Sequence, residues 1–223
     1  MKLLDTIELE TDQNVEFSVI WLHGLGASGH DFEPMVPELA LPDRPGVRFI
    51  FPHAPVRPIT INGGASMRGW YDIDTLVFAE REHDDDGINS SIQHVNALIE
   101  QEIERGIPAQ QVILAGFSQG GAIAYNAALA SRHQLGGVLA LSTYLPMSSD
   151  QLANVNELRK SLPLFIAHGL QDDVIDIEYA EQSVEKLKAA GFKPEWTTYP
   201  MGHSVSLEEV TDISNWLKHL LGM

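Results

Sequence analysis

A serine framed by glycines, Gly116-Phe117-Ser118-Gln119-Gly120-Gly121, is where this chain's residue types and spacing point most directly to chemistry. It follows an apolar run at 111–115 and opens another at 120–130. That order predicts a strand, a sharp turn carrying Ser118 and a buried helix, the context that gives a G-x-S-x-G sequence its meaning. Such a turn holds the serine in a strained backbone conformation, lifts its hydroxyl clear of the sheet and requires small neighbours. The helix that follows offers free N–H groups and a dipole that favour negative charge beside the serine.

A serine hydroxyl is a weak nucleophile until a base accepts its proton. Behind a G-x-S-x-G turn the expected chain order is serine, acid, histidine. Downstream lie His168-Gly169-Leu170-Gln171-Asp172-Asp173 and then Gly202-His203-Ser204. Each follows an expected strand, 164–167 and 195–199, and so falls at the carboxyl edge of a sheet, where α/β sites form. His203 is read as the base and Asp172 as the acid that orients it. Asp173 competes for the acid role, and the preference for Asp172 rests on its place four residues after His168. Among the nine histidines, His94, His133 and His219 lie on or beside helices and His83 lies in a charged run. His53 and His168 follow strands and suit structural hydrogen bonding.

Acyl transfer also needs donors for a tetrahedral oxyanion. The backbone N–H of Gln119, directly after the serine, is one expected donor. The other is expected from an early strand-to-helix loop, and Trp21-Leu22-His23-Gly24-Leu25-Gly26 fits, with the backbone N–H of Leu25 as the donor. The same loop holds a decoy. Gly24-Leu25-Gly26-Ala27-Ser28-Gly29 matches the G-x-G-x-x-G of dinucleotide sites. That reading wants a helix opening at once and an acid about 20 residues on. Instead Asp31, Pro34 and Pro37 follow, with no strand-terminal acid at that distance.

The elements that must position these residues are visible as alternating patterns. Residues 16–22, 47–51, 111–115, 137–141, 164–167 and 195–199 read as buried strands of a parallel sheet, and 6–10 as an antiparallel edge strand. Helical stripes fall at Ile88, Ile92, Val95, Ile99 and Ile103, at Ile177, Ala180, Val184 and Leu187, and at Val210, Ile213, Leu217 and Leu220. Strands alternating with helices predict a doubly wound α/β sheet with helices on both faces. No repeat or linker divides the chain, so residues 1–223 read as one domain. One connection, from about Pro52 to about Asn89, is long enough to be functional.

Composition narrows the partners. A formal net charge of −17 and a pI near 4.7 disfavour nucleic acid and anionic membrane. The absence of cysteine rules out disulfides, a cysteine nucleophile and thiolate metal sites. No apolar run nears the ~20 residues of a membrane-spanning helix, so stable membrane insertion is not expected. Met1-Lys2-Leu3-Leu4-Asp5 does not read as a signal peptide. A cytoplasmic location is expected, no metal or cofactor is called for, and a homodimer is an open option.

Taken together, His23-Gly24-Leu25-Gly26 with Gly29-His30-Asp31, the Ser118 motif, His168-Gly169-x-x-Asp172, Gly202-His203, Phe51-Pro52-His53-Ala54-Pro55 and Trp70-Tyr71-Asp72 resemble the phospholipase/carboxylesterase family. That family includes bacterial carboxylesterases and acyl-protein thioesterases, and the resemblance covers nearly the whole chain. It implies the α/β-hydrolase fold, with Ser118, Asp172 and His203 as triad and Leu25 and Gln119 as oxyanion positions. It also implies hydrolysis of carboxylic esters, lysophospholipids or S-acyl proteins. One departure is Ala27, where many members carry Asp.

The stretch from 142 to 163 leaves little room for a large cap domain, so an open site is expected. Within residues 53–87, the best candidate for a lid, Met67, Trp70, Leu76, Val77 and Phe78 either line an acyl groove or pack the segment onto the sheet; Tyr144 closes the opposite wall. The main expectation is a serine esterase acting on short- to medium-chain acyl esters as small-molecule substrates. The alternatives are a protein S-acyl thioesterase, acyl transfer to an acceptor other than water, and a non-catalytic binding protein on a hydrolase scaffold.

Overall fold

The computed structural model describes residues 3–75 and 84–222. Near-continuous apolar segments become the interior strands of one sheet because both of its faces are covered. In chain order the strands are β1 (Thr6–Glu10), β2 (Val15–Leu22), β3 (Gly46–Pro52), the hairpin β4 (Val56–Ile59) and β5 (Ala65–Arg68), then β6 (Val112–Phe117), β7 (Gly137–Leu141), β8 (Leu164–Gly169) and β9 (Glu195–Tyr199). The helices are α1 (Asp85–Glu104), α2 (Gln119–Ala130), α3 (Ser149–Ala153), α4 (Ile177–Ala189) and α5 (Leu207–Leu220). Among the described residues the main sheet runs β1-β3-β2-β6-β7-β8-β9, and only β1 is antiparallel to its neighbour.

The chain order reverses between β2 and β6. From β2 the chain steps outward to β3, with the earlier β1 at that edge, and from β6 it builds outward to β9 on the other side. Loops leaving the carboxyl ends of β2 and β6 therefore part and leave a crevice, the usual place for an α/β site. Leu22 pairs with Gly116 at that edge, so the loop beginning at His23 and the turn at Ser118 start side by side.

Alternation along the strands feeds two apolar layers. Ile20, Leu22, Leu114, Val138 and Ile166 face α1, α2, α3 and α4. Val19, Trp21, Ile113, Leu139 and Phe165 face α5 and the Phe32–Leu39 stretch. Burying each such side chain contributes about 1.5–3 kcal/mol before entropy is counted. Helix α2 is buried along nearly its whole length, which fixes the start of that helix firmly under the crevice.

The long connection does not stand off the molecule. It forms the β4–β5 hairpin, then returns through Trp70, Tyr71 and Ile73, all buried in the same layer as α2. Asp84 then caps α1 by accepting a hydrogen bond from the Gly87 N–H. No large cap domain stands over the carboxyl edge among the described residues. Among them, too, no helix is long and apolar enough to cross a membrane.

Candidate active site

Ser118 occupies the one-residue turn between β6 and α2 with φ 55° and ψ −123°. A non-glycine residue held there costs about 1–3 kcal/mol, so the surroundings must over-determine it. They do so from both sides. The Ser118 N–H donates to the Leu141 carbonyl at 2.9 Å, and Thr143 Oγ1 donates to the Ser118 carbonyl at 2.7 Å. The flanking glycines are required by contact: a Cβ on Gly116 would sit 2.4 Å from the Gly120 backbone, and one on Gly120 would sit 2.4 Å from the Leu22 carbonyl oxygen.

His203 arrives in the turn between β9 and α5, and Asp172 in the turn after β8. Ser118 Oγ lies 2.9 Å from His203 Nε2, and His203 Nδ1 lies 2.8 Å from Asp172 Oδ2. The other carboxylate oxygen of Asp172 accepts the N–H groups of Val174 and Ile175, each at 2.9 Å. Burial opposes ionisation of this carboxyl. Hydrogen bonds from His168, His203 and the Ile175 amide outweigh it and hold the group well below the usual carboxylate range. An ionised Asp172 can only accept, so His203 carries its proton on Nδ1 and leaves Nε2 free to take one from Ser118. The row has the polarity that activating a serine demands.

Two further residues brace it. The Phe117 ring packs against the His203 imidazole with centroids 4.7 Å apart. His168, fully buried, points Nε2 at the Ile175 carbonyl (2.8 Å) and at Asp172 Oδ2 (3.3 Å), both acceptors, so that nitrogen carries the proton. Asp173, the competitor for the acid role, is exposed.

On the other side of Ser118, Gly24 lies against Phe117 and Ser118. The N–H groups of Leu25 and Gln119 make no hydrogen bond with another described residue, and Gln119 opens α2 at its positive end. His23 is buried. Mainly for that reason its pKa falls to about 4, with the Gly24 carbonyl opposing and His53 and Arg68 adding to the fall. It is neutral near pH 7. His23 Nδ1 donates to the Gly24 carbonyl at 2.7 Å, and Nε2 accepts the Ala54 N–H at 3.0 Å. The G-x-G-x-x-G in this loop serves packing. A Cβ on Gly29 would lie 2.4 Å from the Phe51 carbonyl oxygen, and short 3-10 turns, Glu33–Met35 and Pro37–Leu39, stand where a nucleotide site needs a helix.

The residues expected to line the substrate divide. Met67 is half-buried and lines a cleft of about 550 Å³ with Gly26, Ala27, Asp31, Val56 and Arg68. Trp70 is a correction: it is 0% exposed and cannot line a groove. Its indole N–H donates to the His23 carbonyl at 2.8 Å instead. Tyr144 is buried, with its hydroxyl 3.0 Å from that of Tyr71. Leu76, with Val77 and Phe78, lies outside the described residues. Sequence reasoning gave no role to Phe117, Thr143 or the Gln119 side chain; only their nearness to Ser118 and to strand ends hinted at one. Among the described residues no cluster of three or more His, Asp or Glu is arranged to hold a metal ion.

Known proteins share this arrangement of chain. A family profile described as phospholipase/carboxylesterase matches residues 7–221. Acyl-protein thioesterase 1 of Neurospora crassa is 41% identical over 212 residues, covering 92% of this chain and 86% of that protein. The crystal structure of Arabidopsis thaliana SOBER1 superposes with a TM-score of 0.86 at 33% identity, over 92% of this chain and 99% of that one. That of Zea mays acyl-protein thioesterase 2 gives 0.86 at 28% identity, over 98% and 99%.

Proposed function

The chain belongs to the phospholipase/carboxylesterase family of α/β-hydrolases, and from that premise we propose that its main role is to hydrolyse S-acyl thioesters on proteins. It is a serine hydrolase of acyl esters or thioesters. The observation that carries the thioester preference is the 41% identity, across most of both chains, to a protein named acyl-protein thioesterase. This moves to the front a role that the sequence motifs alone ranked behind small-ester hydrolysis. The absence of a large cap over the carboxyl edge of the described sheet supports it, because a thioester held on a bulky protein must reach Ser118.

The whole of 1–223 acts as one catalytic domain in this reading. Ser118 Oγ attacks the acyl carbonyl while His203 Nε2 takes its proton, and Asp172 stabilises the imidazolium that forms. The Leu25 and Gln119 N–H groups donate hydrogen bonds to the oxyanion, a contribution of about 10²–10³ in rate for each donor in comparable sites. As the tetrahedral species collapses, the carbon–sulfur bond breaks and His203 returns the proton to the departing thiolate. Water, deprotonated by His203, then attacks the acyl-enzyme; the bond to Ser118 Oγ breaks, His203 returns the proton to that oxygen and the acid leaves. Met67 flanks the acyl group from the β4–β5 side.

The test is a kcat/KM series over matched S-acyl and O-acyl substrates of increasing chain length, with a cysteine peptide as one leaving group. The S-acyl peptide is expected to be preferred, and Ser118→Ala is expected to abolish turnover of all of them with the fold intact. Equal or better turnover of small O-acyl esters would return the role to a general carboxylesterase; activity in Ser118→Ala would remove the mechanism.

A further inference from the structure

The two oxyanion donors of the proposed mechanism sit on different elements, one on the loop after β2 and one at the start of α2. Their separation sets how well a tetrahedral oxygen is held, and the pairing of Leu22 with Gly116 starts the two elements side by side. A third segment, residues 68–71 in the middle of the long connection, touches both. From the loop side, the Trp70 indole N–H donates to the His23 carbonyl at 2.8 Å, and the Gly26 N–H donates to the Arg68 carbonyl at 2.8 Å. Leu25 lies between these two anchors. From the helix side, Gln119 Oε1 accepts the Trp70 backbone N–H at 2.7 Å, and Gln119 Nε2 donates to the Tyr71 carbonyl at 2.6 Å. Gly69 sits where the two donors' side chains meet: a Cβ there would lie 3.0 Å from Leu25 Cδ1 and 3.5 Å from Gln119 Oε1.

We propose that the Gln119 side chain is a positioning residue which, through Trp70, fixes the distance between the Leu25 and Gln119 N–H donors. The inference rests on the acyl-transfer reading above and deepens it. Gln119 is 2% exposed, and both ends of its amide are used, so the primary amide is the group required. A carboxylate in its place could still accept from Trp70 N–H but would face the Tyr71 carbonyl with a second acceptor. The bridge is buried, where a lost partner leaves an unsatisfied backbone group rather than one that water can serve. Its function is seen only when charge develops on the acyl oxygen, because only then do both donors bind the same atom.

The experiment compares wild type, Gln119→Met and Gln119→Glu on one thioester substrate, with far-UV circular dichroism and Tm as folding controls. Gln119→Met is expected to lower kcat by about 10–100-fold with KM within about twofold, since a displaced donor loses part of the 10²–10³ carried by one donor. Binding of a trifluoromethyl ketone, which becomes tetrahedral on Ser118, is expected to weaken by the same factor, while binding of the product carboxylate is unchanged. In Gln119→Glu the kcat/KM ratio to wild type is expected to fall as pH rises and the carboxyl ionises against Tyr71. Wild-type kcat and ketone affinity in a folded Gln119→Met, or equal losses for ketone and product, would overturn the proposal. If Ser118→Ala is inactive while Gln119→Met is unimpaired, the positioning inference alone falls; if Ser118→Ala is active, the underlying mechanism falls with it.

Discussion

Asp172 and Glu209 are two buried carboxyls on the loops and helix around His203, and the fold treats them in opposite ways. Asp172 receives the N–H groups of Val174 and Ile175 on one oxygen and the imidazoles of His203 and His168 on the other. Glu209, in the first turn of α5, receives only a long 3.4 Å contact from the Ser206 N–H on one oxygen, and its other oxygen has no partner. Burial is the leading influence on both. At Asp172 the donors overcome it; at Glu209 burial prevails, assisted by the nearby charge of Asp212, and its pKa is pushed up to about 8. Depth alone does not make a carboxylate; the number of donors aimed at it does.

The consequences for stability have opposite signs. Asp172, held low, favours the folded state above the ordinary carboxylate range and loses that contribution as pH falls. Glu209, held high, keeps its proton when folded and sheds it when unfolded, so it opposes folding increasingly from its ordinary 4.5 up to about 8.

Four substitutions test this contrast. Asp172→Asn should have the largest effect, a loss of about 10⁴ in kcat, because an amide permits the wrong imidazole tautomer at His203; steady-state kinetics near wild-type activity would end its assignment. His168→Phe removes one donor to a charged oxygen and should lower kcat about 10–100-fold, the equivalent of about 1.5–3 kcal/mol. Glu209→Gln should leave kcat within about twofold. It should also raise Tm at pH 8 by about 3 °C or more while changing it little at pH 5, since the amide cannot ionise. A catalytic defect in Glu209→Gln matching that of Asp172→Asn would erase the distinction. Asp173→Asn, exposed beside Asp172, should change kcat/KM by less than about twofold.

The reading of sequence succeeded where a property is local. Runs such as Val112-Ile-Leu-Ala and Leu164-Phe-Ile-Ala announce interior strands because every residue is buried whichever face it points to. The mostly parallel sheet with helices on both faces followed from their alternation with helical stripes. The β4–β5 hairpin was not visible, because Val56-Arg57-Pro58-Ile59 and Ala65-Ser66-Met67-Arg68 are short and half-polar, and the first is interrupted by a proline. Trp70 misled for a different reason. An aromatic residue in a long loop has the composition of a groove wall, but its partner is a backbone carbonyl 47 positions away, and no periodicity reports that. Glu209 closes the capping box of α5 with Ser206, and its burial belongs to the packing of α5 and has no signature in the helix itself. Positions along the chain showed which residues end strands, while the supporting contacts around them needed the three-dimensional arrangement.

The positive φ of Ser118 has a hereditary side. That backbone suits glycine better than any residue with a Cβ, so in the proposed mechanism Ser118→Gly is expected to relieve the turn and remove the nucleophile in one substitution. Selection for heat resistance alone is therefore expected to favour glycine over serine at this position. The hydroxyl persists in a lineage only where its chemistry is also selected.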